Sequence, residues 1–272
     1  MVHLLSINDY HIQSVETTAM WVAKTVSIIG GTGKTGMWAL KGALQRGYSV
    51  RVLARNPDKV KTILVTLFGE EEADAQLEKV VVVKGGIMDE AAVLDLFKGA
   101  DVVLSFLGMV NPPNWVVCPG VESMVKAMKT IVEEGGSPPK LVSMSAMGIA
   151  DSRDQMKASN FIMGRLTLWL VIPYMLKECF ADMEASENFI IKERELADTL
   201  NMTIIRAPVL KDKNGYKCDY TATEKPYVIV PPSDTANSAS LFLDRQEVAG
   251  GFLDCVENRQ FDGKTVTVLR KN

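Results

Sequence analysis

The stretch VSIIGGTGKTG, residues 26 to 36, constrains this chain more than any other. A β-branched apolar run, Thr25 to Ile29, meets a glycine-rich turn, and a helical pattern follows from about Lys34 to Arg46. A turn of this kind, feeding the positive end of a helix, receives phosphate. Two phosphate loops share these letters. Gly33-Lys34-Thr35 matches the end of a Walker A loop, whereas Gly30, Gly33 and Gly36 match a dinucleotide-binding turn. A Walker A loop needs glycine five positions before its Gly-Lys-Ser/Thr, and Ile28 stands there, inside the strand. The dinucleotide reading lacks nothing. Gly30 permits the tight turn, Gly33 lets backbone approach a pyrophosphate, and Gly36 lets helix pack on strand.

Beyond this unit, strand-like and helical patterns alternate through the first 145 residues, which predicts a parallel sheet covered by helices. YSVRVLA (48–54) reads as a second strand, and NPDKVKTIL opens a helix with Asn56 as cap and Pro57 at its first position. KVVVVKG (79–85) is continuously apolar and predicts a third strand buried on both faces. The acidic run at 69–76 reads as a solvated loop or helix end. ADVVLSFLG (100–108) and PKLVSMSAMG (139–148) supply strands four and five, with a helix between them. Residues 152–198 read as mostly helical with a break at Pro173, followed by strands at 202–208 and 225–230, the helix DRQEVAGGFLDCVE and a final strand KTVTVL. The expected architecture is α/β, a Rossmann-type doubly wound parallel sheet with a small C-terminal substrate-side region from about 150 to 272. Residues 1–24 form an N-terminal extension to the dinucleotide-binding domain of 25–272.

Composition removes several functional classes. The chain has 272 residues, 47% of them hydrophobic, and a formal net charge of −3, which provides no electrostatic footprint for nucleic acid. Its two histidines, His3 and His11, lie in the extension, so a Ser-His-Asp triad or a His-rich metal site would require that extension to fold back. No metal site is expected. The four cysteines form no Cys-x-x-Cys pair and read as reduced thiols. The first residues lack the apolar core of a secretory signal, and LTLWLVIPYML (166–176) is too short to span a bilayer. A soluble, cytoplasmic protein is the expectation, with an organellar one left open; the oligomeric state is not legible.

Six segments stand in the order characteristic of one family: IIGGTGKTG, RVLARNPDKV, ADVVLSFLG, LVSMSAMG, TIIRAP and LDRQEVAGGFLDCVE. With them the chain resembles the atypical short-chain dehydrogenase/reductases, in their NAD(P)H-binding, NmrA-like and biliverdin reductase B-like branch. The resemblance implies that Thr32, Lys34 and Thr35 offer backbone N–H groups or side chains to a pyrophosphate. Arg55, just after strand two, would pair with a ribose 2′-phosphate where an acidic residue would accept a free 2′-OH, so NADP(H) is expected over NAD(H), with Lys59 adding charge. Leu107 and Gly108 would line the cofactor's path, and Ile87 would stand as an apolar wall beside the adenine.

The same resemblance exposes a gap. Most of the superfamily uses Tyr-x-x-x-Lys for proton donation, and no such pentapeptide is present. Aligning Asp182, Ala185 and Glu187 with the family's pattern puts Cys179 and Met183 at the expected tyrosine and lysine. A shifted pair, Tyr174 and Lys177, is the alternative, three apart on one helix face. Ser145 ends strand five, where the family's serine supports a developing oxyanion, and Ser143 points to the same face. The segment NFIMGRLTLWLVIPYMLKECF reads as the wall of an apolar pocket, an oligomer contact or a plain buried helix. Two functions follow as expectations. One is an NADPH-dependent reductase of a small conjugated or carbonyl substrate such as a flavin, quinone or tetrapyrrole. The other is a cofactor-binding redox sensor or assembly factor that catalyses nothing.

Overall fold

The computed structural model describes residues 25–108, 115–159, 161–212, 218–234 and 241–271. The N-terminal extension with His3 and His11 lies outside them.

The chain alternates strand and helix as its pattern requires. β1 (Thr25–Ile29), α1 (Gly36–Gln45), β2 (Ser49–Ala54), α2 (Asp58–Phe68), α3 (Glu70–Leu77) and β3 (Val80–Lys84) form one half. α4 (Glu90–Lys98), β4 (Val102–Ser105), α5 (Val117–Glu133) and β5 (Lys140–Ala146) begin the other. Then come α6 (Arg153–Ser159), α7 (Phe161–Leu166), α8 (Ile172–Met175), α9 (Lys177–Leu196), β6 (Met202–Ala207) and β7 (Val209–Lys211). β8 (Tyr227–Val230), β9 (Phe242–Asp244), α10 (Arg245–Glu257) and β10 (Thr265–Arg270) complete it.

Eight strands form one sheet in the order β3-β2-β1-β4-β5-β6-β10-β8, all parallel except β8, which runs antiparallel to β10. The order reverses between β1 and β4, so the carboxyl ends of these two strands flank the crevice where such sheets hold ligands. Alternate residues of each strand feed opposite cores. Val26, Ile28 and Leu104 meet Leu40, Leu64 and Phe252 of α1, α2 and α10. Ile29, Val103 and Leu141 meet Val93, Met124 and Ile190 of α4, α5 and α9.

Four expectations need correction. β3 is the sheet's edge rather than a strand buried on both faces, and Val81 is 53% exposed. Its valines express β-propensity, not burial. The acidic run folds as α3, with Glu70, Glu71 and Glu72 in the first turn, where carboxylates favour the helix dipole. Helix α1 begins at Gly36, two residues later than expected. Pro173 does not break its helix. The turn before it, Thr167–Val171, widens to π-type bonding, which accommodates a residue with no N–H, and the helical path ends at Leu176 (φ −122°, ψ 12°). The paired strands β7 and β9, three residues each, are too short for periodicity to reveal.

Candidate functional site

The site is built at the carboxyl ends of the central strands, starting with the glycine loop. Gly30 adopts φ +76°, which an L side chain avoids, and a Cβ there would approach the Phe106 carbonyl oxygen to 3.0 Å. A Cβ on Gly36 would overlap the Gly30 carbonyl, so helix α1 rests directly on the turn. Gly33 donates its N–H to Gly30 O at 2.9 Å and faces solvent with Lys34, while Thr32 is half-buried. The backbone N–H groups of Lys34 and Thr35 make no hydrogen bond among the described residues, and no side chain caps α1. At three other helices a carboxylate fills that position: Asp89 caps α4, Asp182 accepts from Val117 and Cys118 at the start of α5, and Asp244 caps α10. The N-terminus of α1, with open donors and no carboxylate of its own, fits a dinucleotide pyrophosphate. The Thr35 hydroxyl is buried and accepts a hydrogen bond from Arg245 at 3.1 Å, so Thr35 has its backbone, rather than its side chain, to offer. Arg245 also pairs with Asp212 at 3.0 Å. Sequence reading missed this link; the arginine directly after the Asp244 cap was the available signal.

At the adenosine side, Arg55 follows β2 directly and is exposed, with its stem lying over Gly86. Lys59 is exposed in the first turn of α2. Leu107 and Ile87 pack together over Gly120 of α5, while Gly108 lies beside the Met144 side chain.

At the end of β5, Ser143 and Ser145 share a sheet face, as their spacing requires, and both are buried. The Ser145 hydroxyl has no hydrogen-bond partner among the described residues. Ser105 of β4, beside Ser143 in the sheet, also has an unpartnered hydroxyl. Next to Ser145 in register stands Arg206 of β6, 2% exposed. Its guanidinium forks onto Glu187 of α9, with Nε at 3.0 Å and Nη2 at 2.7 Å, and also pairs with Asp151. Burial alone would lower the pKa of this guanidinium; hydrogen bonding to Glu187 and then Asp151 outweighs it and holds Arg206 above its ordinary value. The buried ion pair was invisible in the sequence, because 19 residues and a helix separate the partners.

Past β5, a cavity of about 420 Å³ opens between Gly148–Ile149 and the helices, walled by Leu168, Ile172, Pro173 and Phe180 and bordered by Arg153, Lys157, Lys177 and Glu184. Lys177 lines it. Tyr174 is 80% exposed and does not, and the turn at Leu176 separates the two, so the pair expected on one helix face falls on two helices. Cys179 and Met183 are buried in α9. Burial, with the charge of Asp182, holds the Cys179 thiol above the ordinary range, which leaves it a poor acid. The segment above the cavity is no plain buried helix: Ile162, Leu166, Trp169, Leu170 and Met175 are all exposed.

Known proteins resemble this chain. The chain is 26% identical over 139 residues to a maize (Zea mays) dihydroflavonol 4-reductase; the match takes in 49% of this chain but only 37% of that relative. A short-chain dehydrogenase/reductase of Veillonella parvula DSM 2008, solved in complex with NADP, superposes with a TM-score of 0.63 at 16% identity, covering 92% of this chain and 95% of the other. An anaerobillin reductase of Escherichia coli O157:H7 does so with 0.62 at 14% identity, covering 90% and 97%. These likenesses concern the fold. A family model described as NAD(P)H-binding matches residues 30–259, from the first glycine of the turn to just past α10. With its open α1 terminus, its glycine turn and that match over most of its length, the chain belongs to the NAD(P)H-binding family.

Proposed function

We propose that this chain is an NADPH-dependent oxidoreductase that reduces a small conjugated or carbonyl substrate, of flavin, quinone or tetrapyrrole type, held in the cavity past β5. The observation that carries the reading is Ser145. A buried hydroxyl without a partner is costly, and such groups in native folds call for an explanation. At the end of β5, three residues before Gly148 of the cavity wall, it serves as a donor kept for a substrate oxygen whose charge grows during reduction. The pairing of β5 with β6 and the Arg206–Glu187 pair fix that strand end, so the donor needs little rearrangement.

A reduced dinucleotide held at α1 would supply a hydride. Gly30, Gly33 and Gly36 provide the surface it rests on, Thr32, Lys34 and Thr35 the donors, and Leu107 and Gly108 the apolar path toward β4. Arg55, with Lys59 nearby, selects the 2′-phosphate form. Among the described residues no buried Tyr/Lys pair stands at the cavity to donate the proton; Lys177 at its rim orients the substrate, and Tyr174 faces solvent. A substrate whose reduced form takes its proton from water suits this site.

A second reading, the redox sensor, is favoured by Cys179 and Met183 standing where the proton donors would be. Purified protein with NADPH, screened against flavins, quinones and tetrapyrroles by loss of nicotinamide absorbance, separates the two. Turnover that falls in Ser145→Ala with unchanged cofactor affinity supports the reductase; tight binding without turnover selects the sensor.

A further inference from the structure

The segment from Gln155 to Lys177 reads unlike the rest of the chain. It holds three cations, Lys157, Arg165 and Lys177, and no carboxylate, in a protein of net charge −3. It is also apolar on two opposite sides. Leu168 and Ile172 pack inward against Met147 and Met156. Ile162, Leu166, Trp169, Leu170 and Tyr174, at helical three- and four-residue spacing, face outward, with Trp169 77% exposed. A helix apolar all round ordinarily lies in a core, and an exposed apolar strip rimmed by charge marks a binding surface.

Its chemistry fits one occupant. An open groove of about 440 Å³ on this strip is lined by Lys157, Arg165, Leu168 and Trp169. Two cations beside an indole and a leucine suit a lipid phosphate whose chains lie against the apolar residues. A tryptophan at that level, with lysine and arginine able to stretch toward the headgroups, is the composition of an interfacial helix. In sequence the carboxylates that flank the segment are Asp154, which pairs with Lys157, and Glu178, and Glu184 lies near Arg153. No described helix is long and apolar enough to cross a membrane, so the contact would be peripheral. The geometry points to a docking surface for anionic membrane, formed by α7, α8 and the turn between them, with Trp169 at its centre. The cavity past β5 shares Leu168 and Lys157 with this face and would open toward the bilayer. The docking itself does not depend on catalysis.

The test is co-sedimentation of the full chain with phosphatidylcholine vesicles, with and without about 30 mol % phosphatidylserine, at low and high salt. Binding to the anionic vesicles only, weakened by salt, is expected. Lys157→Glu with Arg165→Glu should lower the partition at least twentyfold, taking roughly fivefold for each cation lost. Trp169→Asp should abolish it, and Trp169→Phe should retain it while losing the blue shift of tryptophan emission. All three positions are exposed, and circular dichroism melting of each variant confirms its fold. Absence of binding at low salt overturns the proposal, as does equal binding to both vesicles or binding that survives Trp169→Asp. A dimer in sedimentation velocity that Trp169→Asp dissolves, without vesicle binding, overturns it in favour of a second copy of the chain.

Discussion

Removing the carboxylate partner of Arg206 should destabilise the protein more than most single changes can. In Glu187→Leu, a guanidinium that is 2% exposed loses three N–O contacts, of 2.7, 3.0 and 3.2 Å. Asp151 remains, but its side chain is 65% exposed, so its attraction is screened by water. Breaking a buried pair from one side costs about 3–5 kcal/mol, whereas replacing both members with apolar residues is often neutral. Arg206→Met should therefore cost a similar amount, and the double variant much less than the two together. With a urea m-value of about 3 kcal/mol/M for a chain of this size, each single change should lower the midpoint by about 1–1.7 M. Urea titrations of the four proteins, followed by circular dichroism, supply the double-mutant cycle. A coupling energy below about 0.5 kcal/mol would refute the argument, since Glu187 and Arg206 would then not depend on each other.

Cofactor choice gives a second test: Arg55→Ala should erase most of a roughly ten- to hundredfold preference for NADPH over NADH while sparing NADH affinity, because a guanidinium–phosphate contact at an exposed site keeps only part of its strength. Equal dissociation constants for both cofactors in the parent would reduce Arg55 to a solvated side chain. Gly36→Ala should weaken dinucleotide binding and stability together, since its methyl would overlap the Gly30 carbonyl; calorimetry that finds wild-type affinity would contradict the loop geometry. High pH should destabilise the fold. Burial pushes Cys255 up to about 12 and raises Tyr48 and Tyr227 as well, so these groups stay protonated when folded and ionise when unfolded. Their contribution is complete below the unfolded pKa values and is lost as pH rises from about 9 toward 12, at up to about 1.4 kcal/mol per pH unit for each. A urea midpoint unchanged between pH 8 and 11 would contradict this.

Local grammar carried most of the dinucleotide half. Gly30, Gly33 and Gly36 act through backbone shape, which a sequence states directly, and the strand–helix alternation follows from residues that make their main contacts nearby. The valines of β3 misled because an unbroken apolar run looks the same at the edge of a sheet as at its centre. The substrate side was less legible. Tyr174 and Lys177 looked like a pair only on the assumption of an unbroken helix, and the turn at Leu176 separates them. Arg206 needed Glu187, and Thr35 needed Arg245, 210 residues away. Such partners are set by how α9 and α10 lie on the sheet, which no local pattern encodes.

The Asp182 cap has a mechanical consequence. Helix α9 lends one face to the cavity, through Phe180 and Ala181, and through Asp182 it grips the first turn of α5. Val117, Ile149 and Met183 close the gap between them, with Leu107 packed alongside. Wall, helix and strand end thus behave as a single lever. A molecule that wedges Phe180 outward should shift α5 and Leu107 with it, so what fills the cavity would be felt along the proposed cofactor path.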